Sequence, residues 1–176
     1  MPISMYQASI PSFAHSLGAL AAVLDKAEAY CTAKKIEPAV MLSARLIADM
    51  LPLSRQVQIA CDFAKGGAAR LAGVDVPSWA DDEKTFAELK LRIKKTLDFV
   101  NSFQAGHIDG SEGRAMQSIK IGGQPAKIDG QHYLNHFVLP NFYFHITTAY
   151  AILRANGVDI GKRDYMGAVP GLTMGA

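Results

Sequence analysis

The feature that most constrains this chain is the run LPNFYFHITTAYAILR, residues 139–154. Between Pro140 and Leu153 it carries no charge beyond whatever His145 holds. Phe142, Tyr143, Phe144, Ile146, Tyr150 and Ile152 cover nearly the whole circumference of a helix built on it. Pro140 suits the first turn, where a missing N–H costs nothing, and Gly157 is placed to end the helix. A helix that is apolar all round must be covered on both sides. A second copy of the chain would do that, and so would the C-terminal tail. A homodimer is favoured, because closed two-fold dimers are the commonest oligomers.

Three further helices are expected to complete a bundle. Residues 3–30 keep Phe13, Leu17, Leu20, Leu24 and Ala27 at helical spacing, with Pro11 either opening or kinking the element. A polar connection over 31–38 leads to a second helix from about Ala39, running through Gly66-Gly67 to Leu71. Pro52 lies in its interior and predicts a kink next to Asp49. Asp81 or Asp82 can cap a third helix, whose stripe is Phe86, Leu89, Ile93, Leu97 and Val100. AMQSIKIGGQPAKIDG then reads as a β-hairpin around Gly122-Gly123, followed by a short helix at QHYLNHFVL. The tail, VDIGKRDYMGAVPGL, reads as irregular and packed on the surface. The expected fold is all-α: one domain over residues 1–176, a four-helix bundle with a small hairpin insertion before the last helix.

Composition narrows the function classes. Apolar residues make up 49% of the 176 and charged residues 19%, and the net charge is +2. A nucleic-acid surface is not indicated, since no basic patch interleaves with aromatics. The densest basic stretch, KLRIKK (90–95), follows Asp81, Asp82, Glu83 and Glu88 and reads as a solvated helix face. Nothing at the N-terminus resembles a signal peptide, and no apolar run reaches membrane-span length. Cys31 and Cys61 lack metal-type spacing. A cytoplasmic setting with two free thiols is expected.

Candidate chemistry centres on His145. Asn141 lies four residues before it, on the same helical face. Asp49 lies about ten residues from the start of its expected helix, and His145 about eleven from the end of its own. Antiparallel packing would bring both to about 15 Å depth in the bundle. Each has a plainer reading: His145 as a hydrogen-bonded core histidine, and Asp49 as the partner of Arg45. His15 could reach the same layer but reads better as partly exposed. His132 and His136, in HYLNH, form a zinc-type pair with no third ligand in view. Cys61 precedes Asp62, which disfavours a thiolate, so it reads as a small core residue.

Together ARLIADMLPLSRQVQIACDFAKGGAARLAG (44–73), PNFYFHITTAYAILR (140–154) and GVDIGKRDYMG (157–167) make the chain resemble the DinB/YfiT-like superfamily of metalloenzymes, and most of all an uncharacterised branch of it. The resemblance implies a DinB-like four-helix bundle, often dimeric, with a divalent metal such as zinc or nickel on three histidines. Here the implied ligand positions are Asp49, Asn141 and His145, and only His145 keeps the usual residue. Three functional readings follow. The favoured one is a degenerate site that binds a small ligand or metal between helices. The others are an active metal- or thiol-dependent transferase or isomerase, and a structural homodimer without a site.

Overall fold

A computed structural model describes residues 3–116, 119–121 and 123–173. Helix α1 spans Met5–Lys34. It opens on a capping box, in which Ser4 Oγ accepts from the Gln7 N–H and Gln7 Oε1 accepts from the Ser4 N–H, each at 3.3 Å. Pro11 lies inside this helix, and the expected stripe from Phe13 to Ala27 is buried.

The helix expected over 39–71 is in fact two. Helix α2 covers only Pro38–Ser43, and α3 starts afresh at Leu53 and runs to Ala72. Pro52 is the physical reason. Inside a continuous helix its ring would press on the carbonyl of residue 48 and leave it without a donor. As the extended N-cap of α3 it has no such cost. Residues 44–52 therefore cross between the helices, and Asp49 stands exposed on a turn rather than on a helix.

Helix α4, Phe86–Asn101, is capped by Thr85 rather than Asp81 or Asp82. Thr85 Oγ1 accepts from the Glu88 N–H at 3.1 Å, and the Glu88 carboxylate accepts from the Thr85 N–H at 2.9 Å. That leaves Asp81 for ion pairs. The KLRIKK stretch is not wholly a solvated face, because the Arg92 side chain is only 2% exposed. Its guanidinium meets Asp62 at 3.0 Å, Asp81 at 2.8 Å and Glu83 at 2.9 Å.

A short α5, Ala105–Ile108, leads to the hairpin. Strand β1, Ile119–Ile121, pairs antiparallel with β2, Gln124–Ala126, with Ile119 opposite Ala126. Gly123 stands at the turn, while Gly122 lies outside the described residues. From Gly130 to Ala155 the chain is helical without a break. Helix α6, Gly130–His132, passes into a π-helical stretch, Tyr133–Val138, and then into α7, Leu139–Ala155. Pro140 accounts for the wide turn: it cannot donate to the preceding turn, and widening relieves its clash there.

The tail is not wholly irregular. It forms α8, Lys162–Met166, and lies against α1. His15 Nε2 is 2.6 Å from the Met166 carbonyl, and the Tyr165 and Thr147 hydroxyls are 3.0 Å apart. The tail thus covers one flank of α7, while Tyr143 and Phe144 stay exposed.

Helices α1, α3, α4 and α7 form the four-helix bundle, with α3 against α7 and α4, and α1 against α4. The all-α, DinB-like architecture with its small hairpin is as the sequence leads one to expect. Among the described residues no helix is long and apolar enough to cross a membrane. Cys31 and Cys61 are buried free thiols.

Candidate functional site

The seam between α3 and α7 holds the candidate chemistry. Gln56 near the start of α3 meets His145, and Gly67 farther along meets Val138 before the start of α7. The two helices therefore run antiparallel.

At the Gln56 end two polar side chains pair with each other. His145 is 9% exposed, and its Nδ1 lies 2.7 Å from Gln56 Oε1. Gln56 spends its amide nitrogen on the Leu51 carbonyl at 2.9 Å. Its oxygen therefore faces the ring, and Nδ1 carries the proton. Burial holds the His145 pKa below the usual histidine range, so the imidazole is neutral at pH 7. The Phe63 ring stacks on it, with centroids 6.0 Å apart and planes 17° apart.

The residues singled out from the sequence do not converge. Asn141 is half-buried and donates through Nδ2 to the Phe137 carbonyl at 2.7 Å. Asp49 is exposed, and among the described residues no hydrogen bond or ion pair joins it to His145 or Asn141. It does not pair with Arg45 either, whose guanidinium donates to the Met50 carbonyl at 2.6 Å. His132 and His136 lie close, with ring centroids 5.7 Å apart, but both are exposed. His132 Nδ1 is already 2.7 Å from Asp129. Among the described residues no group of three His, Cys, Asp or Glu side chains is placed to hold a metal. Because Asp49 stands exposed on a turn and is not brought to Asn141 and His145, this donor set does not fit a three-ligand metal centre. Cys61 is no nucleophile: burial pushes its thiol up to about 12.

At the other end the seam opens into a cavity of about 280 Å³ between α3 and the π-helical stretch. Phe63 and Phe137 meet edge to face at 5.7 Å, and Tyr133 lies over Phe137 at 5.9 Å. Gly66 and Gly67 give the cavity its floor. A Cβ on Gly66 would come within 2.7 Å of Arg70 Nη1, and one on Gly67 within 2.8 Å of Val138 Cγ1. Two adjacent glycines inside a helix cost about 2 kcal/mol relative to alanine. Here they let the π-helical stretch and a guanidinium lie directly on the α3 backbone.

Arg70 is the unusual charge. Its Nη1 reaches the Gly66 carbonyl and the Tyr133 hydroxyl, each at 3.3 Å. Its Nε is buried without a hydrogen-bond partner. Among the described residues no carboxylate pairs with it, unlike Arg92. Lys65 also lines the cavity, but its ammonium is held by Asp62 at 2.8 Å and lies 4.4 Å over the Trp79 ring. A second hollow of about 440 Å³ adjoins at Arg70 and Val76 and carries Arg114 and the exposed Asp75. Burial raises the Tyr133 pKa, so its hydroxyl stays protonated.

The family model of a domain of unknown function, DUF1993, matches residues 5–166. The chain belongs to this family. A crystal structure of a DinB family member protein from Shewanella denitrificans is similar at 41% identity, with a TM-score of 0.88 over 96% of this chain and 95% of that one. The DUF1993 chain is thus a DinB-like protein, as its sequence resemblance implied. No curated protein matches it.

Sequence reasoning passed over Gln56, Phe63, Arg70, Tyr133 and Phe137. The available signal was the Gly66-Gly67 pair, since glycines inside a strong helical pattern mark a close approach. The Gln56–His145 contact had no signal in the residues, because it depends on where α3 begins.

Proposed function

We propose that this DinB-like chain is a metal-independent small-molecule binder whose ligand enters the seam between α3 and the π-helical stretch. The observation that carries this reading is the closed Gln56–His145 pair beside an open, aromatic-walled cavity. Of the three ligand positions the resemblance implies, Asp49 stands apart from Asn141 and His145, while space and unspent hydrogen-bond donors lie farther down the seam. Small-molecule sites combine apolar walls with a few convergent polar groups, and this cavity has that character. The two buried free thiols agree with a reducing, cytoplasmic setting.

Metal analysis of protein purified without a histidine tag tests the first half of the proposal. The expected result is no stoichiometric zinc or nickel in the wild type, and none in His145→Ala. Stoichiometric metal lost in His145→Ala would overturn it in favour of the metal-dependent transferase or isomerase. A thermal-shift screen of thiols and small acids tests the second half. A ligand at a hundred times its Kd should stabilise the fold by about 2.7 kcal/mol. That shift should vanish in Gly66→Leu, whose side chain would fill the cavity.

A second copy of the chain is a further reading. It is favoured by Tyr143 and Phe144 on α7 and by Leu46, Ile47 and Leu51 on the 44–52 crossing, all exposed and flanking the closed pair. Sedimentation equilibrium should give a dimer mass for the wild type and a monomer mass for Phe144→Glu. A monomeric wild type would overturn it.

A further inference from the structure

We infer that the cavity beside Arg70 takes a small carboxylate carried on a flat, aromatic group. This deepens the ligand-binding reading and rests on it. The argument begins with the guanidinium. A cation that is partly withdrawn from water normally acquires a carboxylate partner, as Arg92 does three times over. Arg70 has none among the described residues, and its only bonds run through Nη1. The contact with the Gly66 carbonyl suits a cation in the last turn of a helix, but it uses one nitrogen. Nε is buried and unpartnered, as that of Arg92 is, so the difference lies in Nη2, which among the described residues makes no hydrogen bond in Arg70 and meets Asp62 and Asp81 in Arg92. Nη2 is thus a spare donor of a cation that lines the cavity, and it suits a carboxylate oxygen.

The other contents of the cavity fix the remainder of the ligand. The Tyr133 hydroxyl, already 3.3 Å from Arg70, can donate to the same anion. Lys65 is committed to Asp62, so among the described residues the cavity offers one uncommitted cation and fits a monoanion better than a multiply charged phosphate. Phe63, Phe137 and Tyr133 present ring faces and edges, which suits a flat apolar body. A volume of about 280 Å³ limits that body to roughly one ring. Asp75 borders the adjoining hollow and disfavours a second negative charge there.

Phenylacetate, phenylacetamide and acetate are the probes, titrated into the full chain by calorimetry. Phenylacetate should bind saturably, the neutral amide about tenfold or more weaker, and acetate weaker still, because a charged hydrogen-bonded pair and ring burial each contribute. In Arg70→Met the preference for acid over amide should disappear. Arg70→Gln is the second variant should the first fold poorly. Equal binding of acid and amide to the wild type would overturn the carboxylate assignment and leave the ligand-binding reading standing, and so would a preference that survives both variants. Binding of none of the probes would also overturn the assignment, and the thermal-shift screen then decides the broader reading by itself.

Discussion

The two ends of the α3–α7 seam are built from similar materials and behave in opposite ways. At the Gln56 end an imidazole N–H and an amide oxygen pair with each other, with the Leu51 carbonyl accepting from the amide nitrogen. At the Gly66–Arg70 end the helix gives up side-chain volume, the facing chain widens into a π turn, and a guanidinium is left with donors to spare. A polar group inside a protein is either satisfied internally or held for something external. The first end is structural by that criterion, and the second is the end proposed to take a ligand. The same contrast separates two arginines: Arg92 is surrounded by carboxylates, and Arg70 has none among the described residues.

The largest effect expected from this contrast is at Arg92. Arg92→Met removes the cation that Asp62, Asp81 and Glu83 share, and urea unfolding should show a loss of about 3 kcal/mol, the low end for broken buried pairs because Asp62 and Asp81 are about a third exposed and keep Lys65 and Arg55 as partners. Gln56→Leu comes next. It leaves the His145 N–H and the Leu51 carbonyl without their partner and should cost about 1–3 kcal/mol in the same measurement. A smaller loss would mean the closed end is not closed.

Acidification probes the same pair. Burial lowers the His145 pKa in the folded state, so between that value and the ordinary 6.5 the unfolded chain binds more protons. Stability therefore rises with pH through that window and is lost as pH falls through it. His145→Phe should flatten this part of a urea-midpoint profile against pH. The smallest effect belongs to Arg70. Arg70→Met should change stability by no more than about 1 kcal/mol, since it removes only two long hydrogen bonds. A loss as large as that of Arg92→Met would make Arg70 a structural residue and erase the contrast.

How much of this could be read from the chain follows from range. The stripe of α1 and the extent of α7 are local patterns, and both are where the residues put them. The break at Pro52 was visible as a proline, but whether it kinks or ends a helix depends on what residues 44–52 can pack against. That choice moved Asp49 to a turn and left Gln56 opposite His145. The cap of α4 went to Thr85 because Asp81 is drawn into ion pairs with Arg55 and Arg92, which are distant in sequence. The π turn is a tertiary compromise around Pro140 with no periodic signature. For that reason the cavity it borders was legible only through its two glycines.

The most direct test of the contrast is to ask which end of the seam responds to a ligand. A 15N–1H NMR titration with phenylacetate can follow the Arg70 Nε–H and the His145 ring nitrogens in one sample. The account predicts a saturable shift of the Arg70 Nε–H with the His145 nitrogens unmoved. A saturable shift at His145 with Arg70 silent would contradict it.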